Sequence, residues 1–274
     1  MWIFCCGMQR SGSTLQFQVT AQLVEEARLG KRVEWVRAER FPELRQKYAE
    51  YPGWKVLKHH ICTDEMVSEF QRHNARGVYI FRDLRDVVAS TMQKYIMTFD
   101  QVWASGFLAG CLRQWQKWTS LPQMLVSKYE DMIRDVPGEV ERIATHLGVN
   151  LAPQRYAQIA SEYAVARQLQ RIEEAKRTGR LQQGFADVLY DPHTNLHTNH
   201  IYSGEIGRWK EVLSAEQVAL IESKTQLWLA AHGYELTQSP VQRTWLAFRY
   251  QRKRATRAIK RRLCQGFTSS RCST

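Results

Sequence analysis

The sequence predicts an α/β fold, a single domain whose central parallel β-sheet is flanked by helices. Short apolar runs rich in Val, Ile and Phe alternate along the chain with segments of helical periodicity, and strands that alternate with helices pair in parallel. Turn signals at Pro52-Gly53, Gly77 and Pro122 stand at or just before the later runs. The 274 residues, 44% hydrophobic and 24% charged, suit a globular chain with a substantial core, not a disordered one.

Residues 2–6 (WIFCC) are the first strand, a short apolar run closed by Gly7. Beyond the loop that follows, Leu15, Val19, Leu23 and Ala27 recur at helical spacing, and Gly30 is the expected stop of that helix. Further strands are expected at 54–58 (WKVLK), 77–81 (GVYIF) and 124–129 (MLVSKY). Helical patterns at Asp64–His73, Asp86–Tyr95, Phe107–Trp118 and Val136–Leu147 separate or follow them. Residues 155–200 begin helical and end in a polar stretch, DPHTNLHTNH, read as a loop. A helix over Ala215–His232 follows a serine N-cap, Ser214. The body, 1–242, is read as one domain and 243–274 as a basic helical tail.

Charge is distributed unevenly. The net charge is +12, and Arg243, Arg249, Arg252, Lys253, Arg254, Arg257, Lys260, Arg261, Arg262 and Arg271 account for all but two of those charges, with no acid among them. A nearly neutral body with a basic tail argues against a general nucleic-acid binder. The tail places Trp245, Phe248, Ile259 and Leu263 among its arginines. It reads either as an amphipathic helix at an anionic membrane surface or as a helix packed on the body with its charges solvated. No apolar run approaches the roughly 20 residues of a membrane helix, and Trp2–Met8 lacks the basic flank of a leader. Six cysteines with no C-x-x-C suggest reduced thiols and a cytoplasmic location, peripheral at a membrane if the tail binds one.

The chemistry begins at GMQRSGST. Gly7 and Gly12 have the spacing of the phosphate-cradling loop G-x-x-x-x-G-K-[ST], but Ser13 replaces the lysine and Arg10 stands mid-loop. A strand, a glycine loop and a helix start present free N–H groups to an anion, and arginine grips phosphate oxygens as a fork. QRSGSTLQ resembles the 5′-phosphosulfate loop of sulfotransferases that use 3′-phosphoadenosine 5′-phosphosulfate (PAPS). The resemblance assigns Arg10, Ser11, Gly12, Ser13 and Thr14 to the donor and implies a P-loop-like fold shared with nucleoside-triphosphate hydrolases.

Four more segments carry the same resemblance in order. In YIFRDLRDVVAS, Arg82 ends a strand and Ser90 follows eight residues later, as in the family's 3′-phosphate segment; Asp83, Arg85 and Asp86 read as an exposed helix start. KHHIC is similar to K-x-H, which implies Lys58 beside the transferred sulfonate and His60 as general base. Strand alternation sets His60 on the side of Lys58 and His59 on the other, and a histidine's near-neutral pKa suits proton transfer. SKYEDM resembles a Y-E-D that brings Tyr129 to the nucleotide. SGEIGRWKE resembles G-x-x-G-x-W-K and adds Ser203 and Gly204 to the 3′-phosphate site, although Tyr202 and Ser203 stand where cytosolic members carry a basic pair.

The resemblance implies transfer of a sulfonate from PAPS to a hydroxyl or amine, with 3′,5′-diphosphoadenosine (PAP) as product and no metal. Arg10 and Lys58 would stabilise developing charge. The expected acceptor is a hydroxylated small molecule, lipid or carbohydrate, with no nucleic-acid partner. The alternatives are a kinase-like phosphotransferase with a degenerate loop, for which Asp83 would be the metal carboxylate, and a non-catalytic anion or membrane module driven by the tail. His193, His197 and His200 lie in the polar stretch and are read as part of a loop over the nucleotide, not as metal ligands. Trp103, Phe107, Trp115 and Trp118 read as core, with part of the stripe available to line an acceptor pocket.

Overall fold

The computed structural model describes residues 1–184, 188–198 and 204–269, with side chains to Thr256 in the last helix. The chain divides into two compact units, Met1–Arg82 with Ser90–Ile206, and Asp83–Ala89 with Gly207–Thr274.

The first unit opens β1 (Trp2–Gly7), α1 (Ser13–Glu26), β2 (Gly30–Arg32), α2 (Phe41–Lys47), β3 (Trp54–His59), α3 (Asp64–Gln71) and β4 (Ala75–Phe81). Helix α4 (Leu84–Lys94) starts in the second unit's stretch and returns to the first. Then come α5 (Phe99–Ala104), α6 (Phe107–Thr119), β5 (Met124–Lys128), α7 (Tyr129–Arg134), α8 (Val136–Leu147), α9 (Pro153–Glu162) and α10 (Val165–Arg177). Short strands β6 (Gln182–Gln183), β7 (Leu189–Asp191) and β8 (Leu196–His197) close it.

Among the described residues, five strands make a parallel sheet in the order β2-β3-β1-β4-β5. β1 is central and buried throughout, as a continuous apolar run requires. One sheet face sets Ile3, Cys5, Val56 and Val78 against Phe17, Val19 and Leu23 of α1 and Val140, Ile143 and Leu147 of α8. On the other, the Phe4 ring lies 5.6 Å from Phe41, 5.5 Å from Phe70 and 5.7 Å from Trp118. Register pairs Cys6 with His59 on one side and Gly7 with Ile80 on the other. The carboxyl ends of β1, β3 and β4 therefore emerge along one sheet edge, where ligands of open α/β sheets bind.

Two local expectations need correction. Gly30 does not end α1; the helix closes at Ala27, and Arg28 takes the left-handed turn at φ 54°. Gly30 instead opens β2, a strand too short and too charged (GKR) to show an apolar run. A Cβ there would sit 2.1 Å from the Trp54 carbonyl oxygen, so the close approach of β3 selects glycine. The stretch DPHTNLHTNH, read as a loop, begins as the antiparallel β7–β8 hairpin, turned by Asn195 at φ 54° and an Asp191 carboxylate that accepts from His193 N at 3.0 Å.

The second unit contains α11 (Trp209–Val212), α12 (Ala215–Ala231) and α13 (Pro240–Ser269). Ser214 caps α12 through a capping box with Gln217. Asp83, Arg85 and Asp86 are not an exposed helix start, as the sequence suggests; they are 5%, 3% and 2% exposed. Arg85 pairs with Asp83 and with Glu222, each at 2.7 Å, donates to the Glu235 carbonyl at 2.9 Å, and lies 4.2 Å over the Trp209 ring. Asp86 accepts the backbone N–H groups of Gly207 at 2.8 Å and Trp209 at 2.9 Å. Gly207 and Trp209 are thus held by the start of α4. In the tail, Arg243, Ala247 and Tyr250 are buried, as the packed-helix reading requires.

Candidate active site

The loop between β1 and α1 is built by its own backbone. Arg10 adopts φ 69° and Gly12 φ 85°; a Cβ on Gly12 would meet Tyr129 Cδ2 at 2.9 Å. Ser11 is an anchor: its hydroxyl lies 2.6 Å from Met8 O and 3.0 Å from Ile80 O, which ties the loop to β4. Ser13 and Thr14 open α1, where the positive end of the helix dipole favours an anion.

Positive side chains converge on this loop. Arg10 donates from Nε to Ser90 Oγ at 3.0 Å, which joins the loop to α4. Lys58, buried at the end of β3, donates to Thr14 Oγ1 at 2.7 Å. Lys94 stands four residues after Ser90, so both lie on one side of α4. Burial, reinforced by Arg10, brings Lys58 down to about 7; burial with Arg10 and Lys58 brings Lys94 to about 7. His197 of β8, stacked 5.4 Å from Tyr190, is brought down to about 3 by burial and then by Lys94, Lys58, Arg10 and His60. This is a cationic pocket at the sheet's carboxyl edge.

His60 stands immediately after β3. Its Nδ1 lies 2.7 Å from the Gly7 carbonyl, which can only accept, so Nδ1 carries the hydrogen and Nε2 is left as a lone-pair base. Trp118 Nε1 donates to the His60 carbonyl at 3.2 Å, so this residue is held at both ring and backbone. Burial, then Lys58, pushes its pKa to about 3, which keeps the ring neutral. His59 faces away: Nε2 lies 3.2 Å from Val36 O, and Nδ1 lies 2.8 Å from Ile61 O.

At the other end of the site, the Arg82 guanidinium lies 4.3 Å over the Tyr129 ring and donates to Glu205 O at 2.5 Å. Tyr129 donates its hydroxyl to Gly204 O at 2.8 Å, and Gly204 itself sits at φ 67°. Arg82, Tyr129 and Gly204 thus come together; Ser203 and His200 lie outside the described residues.

The family model described as "Sulfotransferase domain" matches residues 2–233. The chain belongs to the sulfotransferase family. Curated relatives include sulfotransferase 6B1 of Danio rerio, 21% identical over 64% of this chain and 59% of that protein. Sulfotransferase 1C2 of Homo sapiens is 22% identical over 68% of this chain and 64% of its own length. The match thus spans less than two thirds of these relatives. Among solved structures, retinol dehydratase in a complex with retinol and PAP superposes with a TM-score of 0.56 at 18% identity, over 83% of this chain and 81% of that one. Mouse sulfotransferase SULT7A1 complexed with PAP gives a TM-score of 0.54 at 15% identity, over 85% and 89%. These likenesses establish the P-loop-like α/β sulfotransferase fold.

One residue of the pocket, Lys94, stands outside the motif segments singled out in the sequence. Lys94 was legible in principle, because Ser90 and Lys94 are one helical turn apart. His197, read as part of a loop over the nucleotide, reaches the donor loop from the β7–β8 hairpin.

The lysines predict a pH dependence. In the free protein their pKa values, about 7, lie below the usual lysine range, so the folded state takes up these protons less readily than the unfolded chain. Stability from this source is full in alkali and is lost as pH falls toward about 7. A bound anion favours the ammonium forms, so binding takes up protons. Affinity for inorganic sulfate should therefore fall as pH rises from about 6.5 to about 9, as read by calorimetry; a flat or rising profile would place the anion away from Lys58 and Lys94.

Proposed function

We propose that this sulfotransferase moves a sulfonate from PAPS to a hydroxyl, or an amine, of an acceptor. The observation that carries the reading is the convergence of Arg10, Lys58 and Lys94 on a glycine loop whose Gly7 carbonyl also orients His60. In this reading the loop from Arg10 to Thr14 holds the 5′-phosphosulfate, with Ser11 acting through the loop it anchors. Arg82, Ser90, Tyr129 and Gly204, together with Ser203, hold the 3′-phosphate end.

His60 Nε2 takes the acceptor proton as the oxygen attacks sulfur. The bond between sulfur and the bridging oxygen breaks, and its electron pair leaves on the 5′-phosphate of PAP. Arg10 meets the charge that grows there, and Lys58 and Lys94 face the transferred sulfonate, so the chemistry is positioning plus electrostatics. The low pKa of His60 belongs to the free site; a bound donor offsets Lys58 and raises the ring's basicity when it is needed. The kinase alternative has less support, because the carboxylate it would use, Asp83, is paired with Arg85. Retinol and androsterone, each held by retinol dehydratase in a solved complex with PAP, are hydroxylated and largely apolar, which favours an acceptor of that class over a carbohydrate.

The test separates the sulfonate from the rest of the donor. Lys58→Met and Lys94→Met should each weaken PAPS by about tenfold or more while leaving PAP within about twofold, because PAP lacks the sulfonate. Equal losses for both nucleotides would move the lysines to the phosphates; no loss for either would remove them from the site.

A further inference from the structure

Helix α13 has two apolar faces, and α12 covers one of them. At about 100° per residue, Arg243, Ala247 and Tyr250 share a side, and each is 6% exposed. Arg243 donates to Gln226 Oε1 at 2.7 Å, while Arg249 and Lys253 pair with Glu216 at 2.6 and 2.8 Å. As residue numbers rise along α13 the partners' numbers fall along α12, so the two helices run antiparallel.

Val241, Trp245 and Phe248 fall within about 60° of arc on the opposite side, and they are 80%, 56% and 57% exposed. The Arg249 guanidinium sits 5.1 Å over the Trp245 ring, and that of Arg252 lies 6.0 Å over Phe248. From Arg243 onward the sequence carries only basic charges. A second copy of the helix would bring like charges together, and a purely electrostatic polyanion site has no use for an exposed tryptophan and phenylalanine. An anionic lipid surface matches both features, since aromatic rings favour the headgroup level and arginines its phosphates.

We propose that the outer face of α13 docks on an anionic phospholipid bilayer. The helix lies in the plane of the interface, Trp245 and Phe248 enter the boundary between headgroups and acyl chains, and Arg252 sits among the lipid phosphates. The proposal stands independently of sulfonate transfer.

Co-sedimentation of the full chain with phosphatidylcholine vesicles, with and without phosphatidylserine, tests it. Binding to the anionic vesicles should be at least about tenfold tighter, and the double variant Trp245→Glu, Phe248→Glu should lose at least about tenfold of it. Both side chains are more than half exposed, so circular dichroism and stabilisation by PAP should match the parent, which keeps this test separate from the donor site. The proposal is overturned by absent binding, by vesicle binding that survives the double variant, by tighter binding to duplex DNA, or by a dimer that the same variant abolishes.

Discussion

His60→Ala is expected to lower sulfonate transfer by roughly 10²–10⁴-fold, the usual contribution of a positioned general base, while PAP binds nearly as well as before. The expectation follows from the ring's tie, Nδ1 to the Gly7 carbonyl, which among the described residues leaves Nε2 to the acceptor. Because that tie also orients the donor loop, His60→Asn is the sharper control. Its amide can keep an N–H toward Gly7 but has no imidazole base, so it should be as inactive as alanine. Turnover within about tenfold of the parent in the asparagine variant would hand the proton to another group, with His197 the first to examine.

The largest expected effect on stability lies at Arg85. Its guanidinium is buried between Asp83 and Glu222, and Glu222 is 0% exposed. Arg85→Ala leaves two carboxylates without their cation, and breaking a buried pair in this way costs roughly 3–5 kcal/mol. The midpoint of urea unfolding should fall accordingly. Replacing Arg85, Asp83 and Glu222 together by apolar residues of similar volume should be tolerated better, since removing the whole network strands no charge. A loss under about 1 kcal/mol for Arg85→Ala would mean that water reaches these groups and that the pair behaves as a surface one.

The contrast between these two sites explains what the sequence could reveal. His60, Arg10 and the two loop glycines are legible because their meaning is local: a strand end, a turn and a helix start recur in a short window. Helix α8, Val136–Leu147, is legible for the same reason, as its apolar period and its Gly148 stop are contiguous. The Asp83-Arg85-Asp86 run misleads because charge in sequence reads as exposure. Its burial is set by Glu222 and by the N–H groups of Gly207 and Trp209, more than a hundred residues away. Gly30 misleads in the same way, since the backbone of Trp54 selects it and the preceding helix does not. Lys94 and His197 join the pocket only through tertiary placement, which adds two groups beyond those the motifs supply.

The central claim is a site built for a 3′-phosphorylated adenosine donor, and differential stabilisation by nucleotides tests it most directly. A ligand that binds only the folded state at about 100 times its Kd adds ~2.7 kcal/mol, which for a chain of this size raises Tm by about 5–10 °C. PAP should produce that shift without a divalent cation, and ATP with Mg²⁺ should produce little. Stabilisation by ATP with Mg²⁺ and not by PAP would contradict the account.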